Sequence, residues 1–290
     1  GWFMTSSSTQ RLLIFVGLLV LAFAVRLTAA GWWQSRLDDS RTFGFPDSHS
    51  YWYLAQRLAD GHPYEYGGPD FRVFRTPAYP LALAGVLRLV GIDPPTMWGR
   101  ALGALLGTLA VGAVAWLANI LFDDRTALIA AVLATVYPGA VAMSVFVLSE
   151  ALFCPLMVAH LACWVMACRC GSTPRGATWA LAGGLLAGLA ILARPSWLLF
   201  VPFAGAFSIL FFAPRRRHAW ITVCLVAGIV VAISPWWMRN YRVTGTFVPT
   251  TLQVGASLYD GLNPAATGAS DMTFVPRFYD EQRVADARNP

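Results

Sequence analysis

The stretch RLLIFVGLLVLAFAVRLTAA, residues 11–30, decides the class of fold. A run of about 20 apolar residues is what an α-helix needs to cross the roughly 30 Å hydrocarbon core of a bilayer. A signal peptide would be followed by a small-residue cleavage site, and no convincing one follows residue 30. We therefore interpret this segment as a retained signal anchor that spans the membrane.

The composition of the whole chain also indicates a membrane protein. Hydrophobic residues make up 57% of the 290 residues and charged residues only 12%, which is about half the charge of a typical soluble domain. We predict an all-α integral membrane protein with a transmembrane module over residues 1–236. Seven apolar segments are long enough to be its spans: 11–30, 97–121, 126–143, 149–168, 177–194, 196–213 and 219–236.

An eighth apolar stretch, 77–91, is ambiguous because it is short, has two prolines near its start and carries Arg88. The positive-inside rule decides between the alternatives. If 77–91 does not span and the N-terminus is cytoplasmic, the arginines of the segments 123–125, 169–175 and 215–218 all face the cytoplasm. If it spans, they all face outward, against the rule. We therefore predict about seven spans, with 77–91 in the membrane interface.

Seven spans bring three polar regions to one extracytoplasmic face. These are the first loop (31–96), the Ser149-Glu150 junction and a C-terminal extracytoplasmic segment (237–290). Ionisable residues at the edge of a membrane are costly, so function is the default hypothesis for them. We expect a multi-pass protein of the plasma (inner) membrane with its site on this face.

Asp47 is the first candidate in the first loop. It precedes an amphipathic stretch in which Tyr51, Leu54 and Leu58 recur with helical spacing. Two interpretations stay open: a helix N-cap, whose carboxylate accepts from free backbone N–H groups, or a general base that takes a proton from an acceptor hydroxyl. The two are compatible, because a capping carboxylate is fixed in orientation.

Arginines and a second acid are the other candidates on this face. A guanidinium group binds phosphate through paired hydrogen bonds and keeps its charge; the alternative is that such residues only anchor helices by reaching toward lipid head groups. Glu150 either reaches water, pairs with a nearby arginine or completes a site with Asp47. The arginines near the outer face are Arg72, Arg75, Arg194, Arg239 and Arg242.

The remaining reactive residues suggest neither a metal site nor nucleic-acid binding. Of four histidines, only His49 and His62 belong to the first loop. Three of the five cysteines, Cys163, Cys168 and Cys170, cluster at the inner end of the fourth span, where thiols stay reduced. The net charge of +6 implies anionic lipids or phosphates as partners, and nothing suggests nucleic acid. We predict no cofactor, with a divalent metal ion as the alternative.

The order of these features resembles the GT-C superfamily of membrane glycosyltransferases. Within it, the chain resembles the protein O-mannosyltransferase and lipid A aminoarabinose transferase family (glycosyltransferase family 39-like). The pieces that carry the resemblance cover nearly the whole chain. They are PDSHSYWYLAQRLADGHPY (46–64), FRTPAYPLALAGVLRLVG (74–91), LSEALF (148–153), GGLLAGLAILARPSWLLFVP (183–202), SPWWMRNYRVTGTFVP (234–249) and LYDGLNP (258–264).

The resemblance implies a seven-helix module that uses a polyprenyl-phosphate sugar donor. It implies that Asp47 is the catalytic base, that Arg75 lies near the donor phosphate and that Glu150 is the second acidic position. The predicted lipid-phosphate end of the site also includes Arg194, Arg239 and Arg72. We predict a sugar and acceptor pocket formed by Tyr51, Tyr79, His49 and Asn263.

This chain departs from the resembling family at several points. Relatives often carry a basic residue where Val145 stands, and some carry glutamate where Phe74 stands, so the metal ion of some relatives is not predicted here. Most relatives continue with further membrane helices beyond the position of Pro290. We therefore expect a minimal module, a fragment, or a chain that works with a partner subunit or a further C-terminal region.

The sequence predicts a glycosyltransferase that inverts the anomeric centre on the extracytoplasmic face. The sugar would pass from a polyprenyl-phosphate donor to a hydroxyl of a lipid, glycan or protein, with Asp47 as base. The alternatives are a non-catalytic GT-C-like subunit for lipid binding or assembly, and a transporter of lipid-linked sugar. A transporter would be expected to show internal repeats or broken helices near the membrane midplane, and the sequence shows no repeat.

Overall fold

The computed structural model describes residues 8–67, 71–269, 271–275 and 281. Within these ranges every regular element is a helix, as predicted, and a short 3-10 turn at Pro195–Trp197 separates α8 from α9. The α-helices are α1 (Ser8–Gln34), α2 (Pro46–Ala59), α3 (Ala78–Val90), α4 (Met97–Leu121), α5 (Asp124–Val136), α6 (Pro138–Val145), α7 (Glu150–Cys170), α8 (Pro174–Ala193), α9 (Phe200–Phe211), α10 (Arg215–Thr244) and α11 (Gln253–Leu262).

Five helices in the described residues are long and apolar enough to cross a membrane, namely α1, α4, α7, α8 and α10. They correspond to five of the seven predicted spans. The predicted span 126–143 is instead two helices, α5 and α6, bent by 55°. The predicted span 196–213 is a shorter apolar helix that begins at a 3-10 turn. The structure thus confirms a multi-helix membrane protein and leaves the count of seven unconfirmed.

Prolines explain both differences from the predicted spans. Pro138 cannot continue a helix from Tyr137, whose backbone is extended (φ −62°, ψ 114°), because proline disfavours helical geometry in the residue before it. Pro195 acts in the same way on Arg194, which is extended at the end of α8 (φ −140°, ψ 112°). Both prolines then begin the next helical segment, where a missing N–H costs nothing.

A buried arginine stabilises the bend between α5 and α6. Arg26 lies in the middle of α1 and is only 1% exposed. Its guanidinium donates to the carbonyl groups of Ala134 (3.0 Å) and Thr135 (3.4 Å), which have no helical partner at the end of α5. A cation at a helix C-terminus also interacts favourably with the helix dipole. The sequence prediction did not single out this residue.

The centre of the bundle is a close contact of α8 with α7 on one side and α10 on the other. Glycines permit this contact. A Cβ atom at Gly184 would collide with the carbonyl of Leu225, and one at Gly228 would collide with the carbonyl of Leu181. Buried apolar side chains of α8 and α10 fill the rest of the contact, among them Ile191 and Ile233. This contact holds the C-terminal parts of α8 and α10 near the polar residues of the first loop.

The two helices of the first loop pack on each other above the bundle. Leu54 and Ala55 of α2, and Leu83 and Leu87 of α3, are fully buried. α3 has 13 residues, which makes it about 20 Å long. It is thus a short apolar helix, and the interfacial position of 77–91 stays a prediction.

α10 has 30 residues and continues to Thr244, beyond the end predicted for the last span at residue 236. Of the predicted C-terminal segment (237–290), residue 270 and the residues after 275, except 281, lie outside the described residues. The described part contains α11, which carries no buried residue.

Candidate functional site

Asp47 lies in the first turn of α2. The cap residue of this helix is Phe45, which is extended (φ −140°, ψ 126°), and Pro46 occupies the first helical position. The interpretation of Asp47 as the N-cap is therefore wrong, because proline favours the first helical position and places the cap two residues earlier, at Phe45. Its carboxylate instead pairs with the guanidinium of Arg75 at 2.9 Å.

Arg75 is held more firmly than its acidic partner. Its side chain is 14% exposed, whereas that of Asp47 is 60% exposed. The Nε atom donates to the hydroxyl of Ser50 at 3.2 Å. The guanidinium carbon also lies 4.9 Å from the centre of the Tyr51 ring and 4.9 Å from that of Phe74, where a cation is attracted by the ring faces. The arrangement fixes a cation beside an accessible carboxylate.

Tyr51 connects this first pair to a second acid–arginine pair. Its hydroxyl donates to the hydroxyl of Ser149 at 3.1 Å. Ser149 in turn donates to the carboxylate of Glu150 at 3.3 Å, and Glu150 forms a salt bridge with Arg194. Glu150 is thus paired with an arginine, one of the alternatives that the sequence left open.

Six side chains from distant parts of the sequence therefore form a continuous series of polar contacts, which we call the outer polar chain. At one end are the carboxylate of Asp47 and the guanidinium of Arg75, and at the other end are the carboxylate of Glu150 and the guanidinium of Arg194. The Arg194 side chain is 38% exposed, so its guanidinium can bind a further anionic group. The members of the outer polar chain are Asp47, Arg75, Tyr51, Ser149, Glu150 and Arg194.

Arg239 and Arg72 belong to a neighbouring cluster. Arg239 donates to the carbonyl groups of Arg72 (2.6 Å) and Tyr64 (2.7 Å), and so ties the C-terminal part of α10 to the first loop. Arg72 itself pairs with Glu65, which also pairs with Arg57. The predicted phosphate contacts of Arg239 and Arg72 remain predictions, since both are already engaged with the first loop.

Tyr64 links this cluster to the outer polar chain. Its hydroxyl lies 3.2 Å from the carbonyl oxygens of both Arg75 and Thr76, to which it donates. Burial raises the pKa of Tyr64 above its ordinary value, so the hydroxyl keeps its proton and this donor role at neutral pH. Tyr64 thereby holds the backbone at Arg75, whose side chain is held by Asp47 and Ser50.

The four predicted pocket residues differ in their placement. Tyr51 is in the outer polar chain, and Tyr79 is fully buried beneath it, with the two ring centres 5.4 Å apart. His49 is exposed and packs its ring edge-on against Phe43. Asn263 bonds to the backbone at the end of its own helix, α11. The predicted pocket role of Asn263 thus stays a prediction without a contact to the outer polar chain.

Arg100 is a further residue of this region that the sequence prediction missed. It lies at the start of α4 and is fully buried. Its guanidinium donates to the carbonyl of Val145 at 2.9 Å, near the Glu150 end, and to the carbonyls of Thr42 (3.0 Å) and Phe43 (3.2 Å), near the Asp47 end. The sequence signal was a charged residue inside a predicted span.

We expect Arg100→Gln to destabilise the protein by roughly 3 kcal/mol or more, because hydrogen bonds from a charged group contribute about 1.5–3 kcal/mol each. Thermal unfolding followed by tryptophan fluorescence is the measurement. Arg88→Gln is the matched control, since Arg88 is exposed and donates to one carbonyl, that of Leu58. Equal unfolding temperatures for the two variants would show that Arg100 does not hold these segments together.

Within the described ranges, no group of three or more histidine, cysteine, aspartate or glutamate side chains is placed to hold a metal ion. All five cysteines are free thiols. The side chains that the site presents are carboxylates, guanidinium groups and hydroxyls, which can transfer a proton and bind an anionic group.

Comparisons with known proteins agree with this fold. The family model for dolichyl-phosphate-mannose-protein mannosyltransferase matches residues 75–238. Within that range lie four of the six members of the outer polar chain: Arg75, Ser149, Glu150 and Arg194. No curated protein matches the sequence.

Two solved structures share the fold. The apo oligosaccharyltransferase of Archaeoglobus fulgidus is 17% identical, with a TM-score of 0.58 over 93% of this chain and 39% of its own. The oligosaccharyltransferase AglB of the same organism, in complex with an inhibitory peptide and a dolichol-phosphate, is 15% identical, with a TM-score of 0.61 over 100% of this chain and 38% of its own. The chain thus spans less than two fifths of either structure.

The family model covers more than half of the 290 residues, and both structural matches extend over nearly all of the chain. The chain therefore belongs to the dolichyl-phosphate-mannose-protein mannosyltransferase family, within the GT-C class of membrane glycosyltransferases.

Proposed function

We propose that this protein transfers a sugar from a polyprenyl-phosphate donor to a hydroxyl group of an acceptor, at the outer face of the plasma membrane. The observation that carries the proposal is the outer polar chain, which joins an accessible carboxylate to two phosphate-binding groups. Family membership supports the class of reaction. The AglB complex, which contains a dolichol-phosphate and a peptide, supports a lipid-linked donor.

The proposed reaction is a direct displacement at the anomeric carbon. Asp47 takes the proton from the acceptor hydroxyl, whose oxygen then forms the new bond to the anomeric carbon. The bond from that carbon to the phosphate oxygen breaks, and its electron pair leaves with the polyprenyl phosphate. Attack from the face opposite the phosphate inverts the anomeric centre. The 60% exposure of Asp47 leaves room for the acceptor.

Arg75 and Arg194 bind the departing phosphate in this proposal. Charge that develops on the leaving oxygen is stabilised by preorganised donors, which commonly supply several kcal/mol of barrier reduction. Both arginines are already oriented by an acid in the unliganded site. Because a guanidinium has five N–H donors in a planar fork, each can keep its acidic partner and still donate to a phosphate.

The experiment is turnover of a defined donor by the purified protein in lipid vesicles. With a radiolabelled polyprenyl-phosphate sugar and a pool of candidate acceptors, we expect release of polyprenyl phosphate together with transfer of label. A non-catalytic subunit would bind the donor without releasing the sugar. A transporter would move the intact donor across the vesicle membrane. Either result would replace the proposal.

The orientation of the protein gives a second test. α10 has 30 residues and is about 45 Å long, so its two ends lie on opposite faces of a bilayer. In a cysteine-free background, a cysteine at position 60 or 261 should react with an impermeant maleimide added outside intact cells. A cysteine at position 216 should react only after the cells are opened. Labelling of positions 60 and 216 from the same side would contradict the proposed orientation.

A further inference from the structure

A groove opens on the bundle at the end opposite the outer polar chain. It has a volume of about 600 Å³ and lies between α4 and α7. α7 begins at Glu150, a member of the outer polar chain, and runs for 21 residues to Cys170, a length of about 30 Å. The groove is near the Cys170 end. It therefore belongs to the other leaflet of the membrane and is separate from the proposed transfer site.

The walls of the groove are apolar and its mouth is cationic. Leu117 and Leu121 of α4 face Leu161 and Val165 of α7 across it. Two arginines, Arg169 and Arg217, lie at the mouth, and no acidic residue lines it. Such a groove suits a ligand with an apolar chain and an anionic head.

The two arginines come from different helices and meet where α7 ends. Arg169 is in the last turn of α7, and Arg217 is in the first turn of α10. Arg217 packs against Gly171, where a Cβ atom would lie 3.4 Å from its Nε atom. The side chain of Arg217 is thus in van der Waals range of the residue that ends α7.

Neither arginine is neutralised by the protein. Within the part of the chain that the structure describes, no salt bridge involves Arg169 or Arg217. The Nε atom of Arg217 is also buried without a hydrogen-bond partner, although a buried donor of this kind is ordinarily satisfied. A phosphate group at the mouth would supply acceptors for both guanidinium groups.

We propose that this groove binds one anionic phospholipid, with its phosphate between Arg169 and Arg217 and an acyl chain along the leucines of α4 and α7. Two cations without a nearby acid favour a lipid with net negative charge over a zwitterionic one. The arginine-rich end of the bundle is also the one that the charge pattern places at the cytoplasmic leaflet, where anionic lipids attract basic residues.

The test is native mass spectrometry of the purified full chain titrated with phosphatidylglycerol or phosphatidylcholine. We expect one phosphatidylglycerol to bind at least about tenfold more tightly than phosphatidylcholine, because both lipids carry the phosphate but only phosphatidylcholine adds a choline cation, which the two arginines repel. Millimolar inorganic phosphate should not displace it. Equal affinities of the wild-type protein for the two lipids would overturn the proposal.

Matched variants separate a built site from general surface charge. Arg169→Gln combined with Arg217→Gln should weaken phosphatidylglycerol binding by about tenfold or more. Arg215→Gln combined with Arg216→Gln removes the same charge from the same end of the bundle, outside the groove, and should change it by less than about twofold. Equal losses in the two double variants would indicate non-specific attraction and overturn the proposal.

A third variant tests the apolar part of the groove. Leu121→Trp fills the groove from the end of α4, where Leu121 is 47% exposed, and leaves both arginines in place. It should weaken phosphatidylglycerol binding as the arginine variants do, and unchanged binding would contradict an acyl chain in the groove. Displacement of bound phosphatidylglycerol by an equimolar polyprenyl phosphate would assign the groove to the polyprenyl lipid instead.

Discussion

Asp47→Asn is expected to lower sugar transfer by about 10²–10⁴-fold, the usual contribution of a placed general base. An amide has no basic oxygen that could take the acceptor proton at neutral pH. The side chain keeps its size, and the salt bridge lost with Arg75 involves a carboxylate that is 60% exposed, so its contribution to stability is small. The protein should therefore fold normally.

Donor binding should survive this change. Removal of the carboxylate leaves the whole guanidinium of Arg75 free for phosphate, so the KM for the donor should not rise while kcat falls. Asp93→Asn is the matched control, because Asp93 pairs with Arg41 in an exposed salt bridge away from the outer polar chain. Near-normal transfer by Asp47→Asn would show that the Asp47 carboxylate serves only as a partner of Arg75. The base would then have to be sought at Glu65 or Glu150.

The second large effect is expected for Arg75→Ala, which should lower transfer by about 10²–10³-fold, as the loss of one preorganised donor to a developing oxyanion commonly does. Arg75→Lys should restore only part of the rate, because an ammonium cannot reproduce the paired hydrogen bonds of a guanidinium. Initial rates at saturating and limiting donor separate the loss of donor binding from the loss of turnover.

Arg41→Ala provides the control for loss of an arginine from an exposed salt bridge. Arg75 also contacts Ser50 and the rings of Tyr51 and Phe74, so thermal unfolding of each variant must be measured beside its rate. A folded Arg75→Ala protein with an unchanged transfer rate would show that Arg75 does not bind the donor phosphate.

The sequence predicted the parts of the fold that follow from local pattern. Continuous apolar runs identified α1, α4, α7, α8 and α10, since span length alone nearly determines a membrane helix. The bend at Pro138 was visible as a proline, but apolar residues continue on both sides, so 126–143 had the length of one span. The break between α5 and α6 is stabilised by hydrogen bonds from Arg26 to carbonyls at the end of α5. These bonds join residues that lie far apart in the sequence.

The sequence predicted the candidate site in part. The resemblance and the outer-face charges identified Asp47, Arg75, Glu150 and Arg194, and the structure brings these four residues into two salt bridges. The link between the pairs through Tyr51 and Ser149 joins residues nearly one hundred positions apart, so no local pattern announces it.

Two other features of the site depend on backbone detail. The N-cap of α2 is Phe45, and not Asp47, because proline prefers the first helical position, a preference that the capping interpretation overlooked. Arg100 was visible in the sequence as a charge inside a predicted span, but its partners were not. Three of them are backbone carbonyls, which carry no residue-specific signal, and the fourth is the side-chain oxygen of Gln34, far away in the sequence.

The most direct measurement is a cryo-electron microscopy structure of the Asp47→Asn protein with a bound polyprenyl-phosphate sugar. The proposed function predicts that the donor phosphate lies within hydrogen-bond distance of Arg75 or Arg194, with the anomeric carbon of the sugar facing residue 47. A donor phosphate bound elsewhere, for example between Arg169 and Arg217 at the other end of α7, would contradict it.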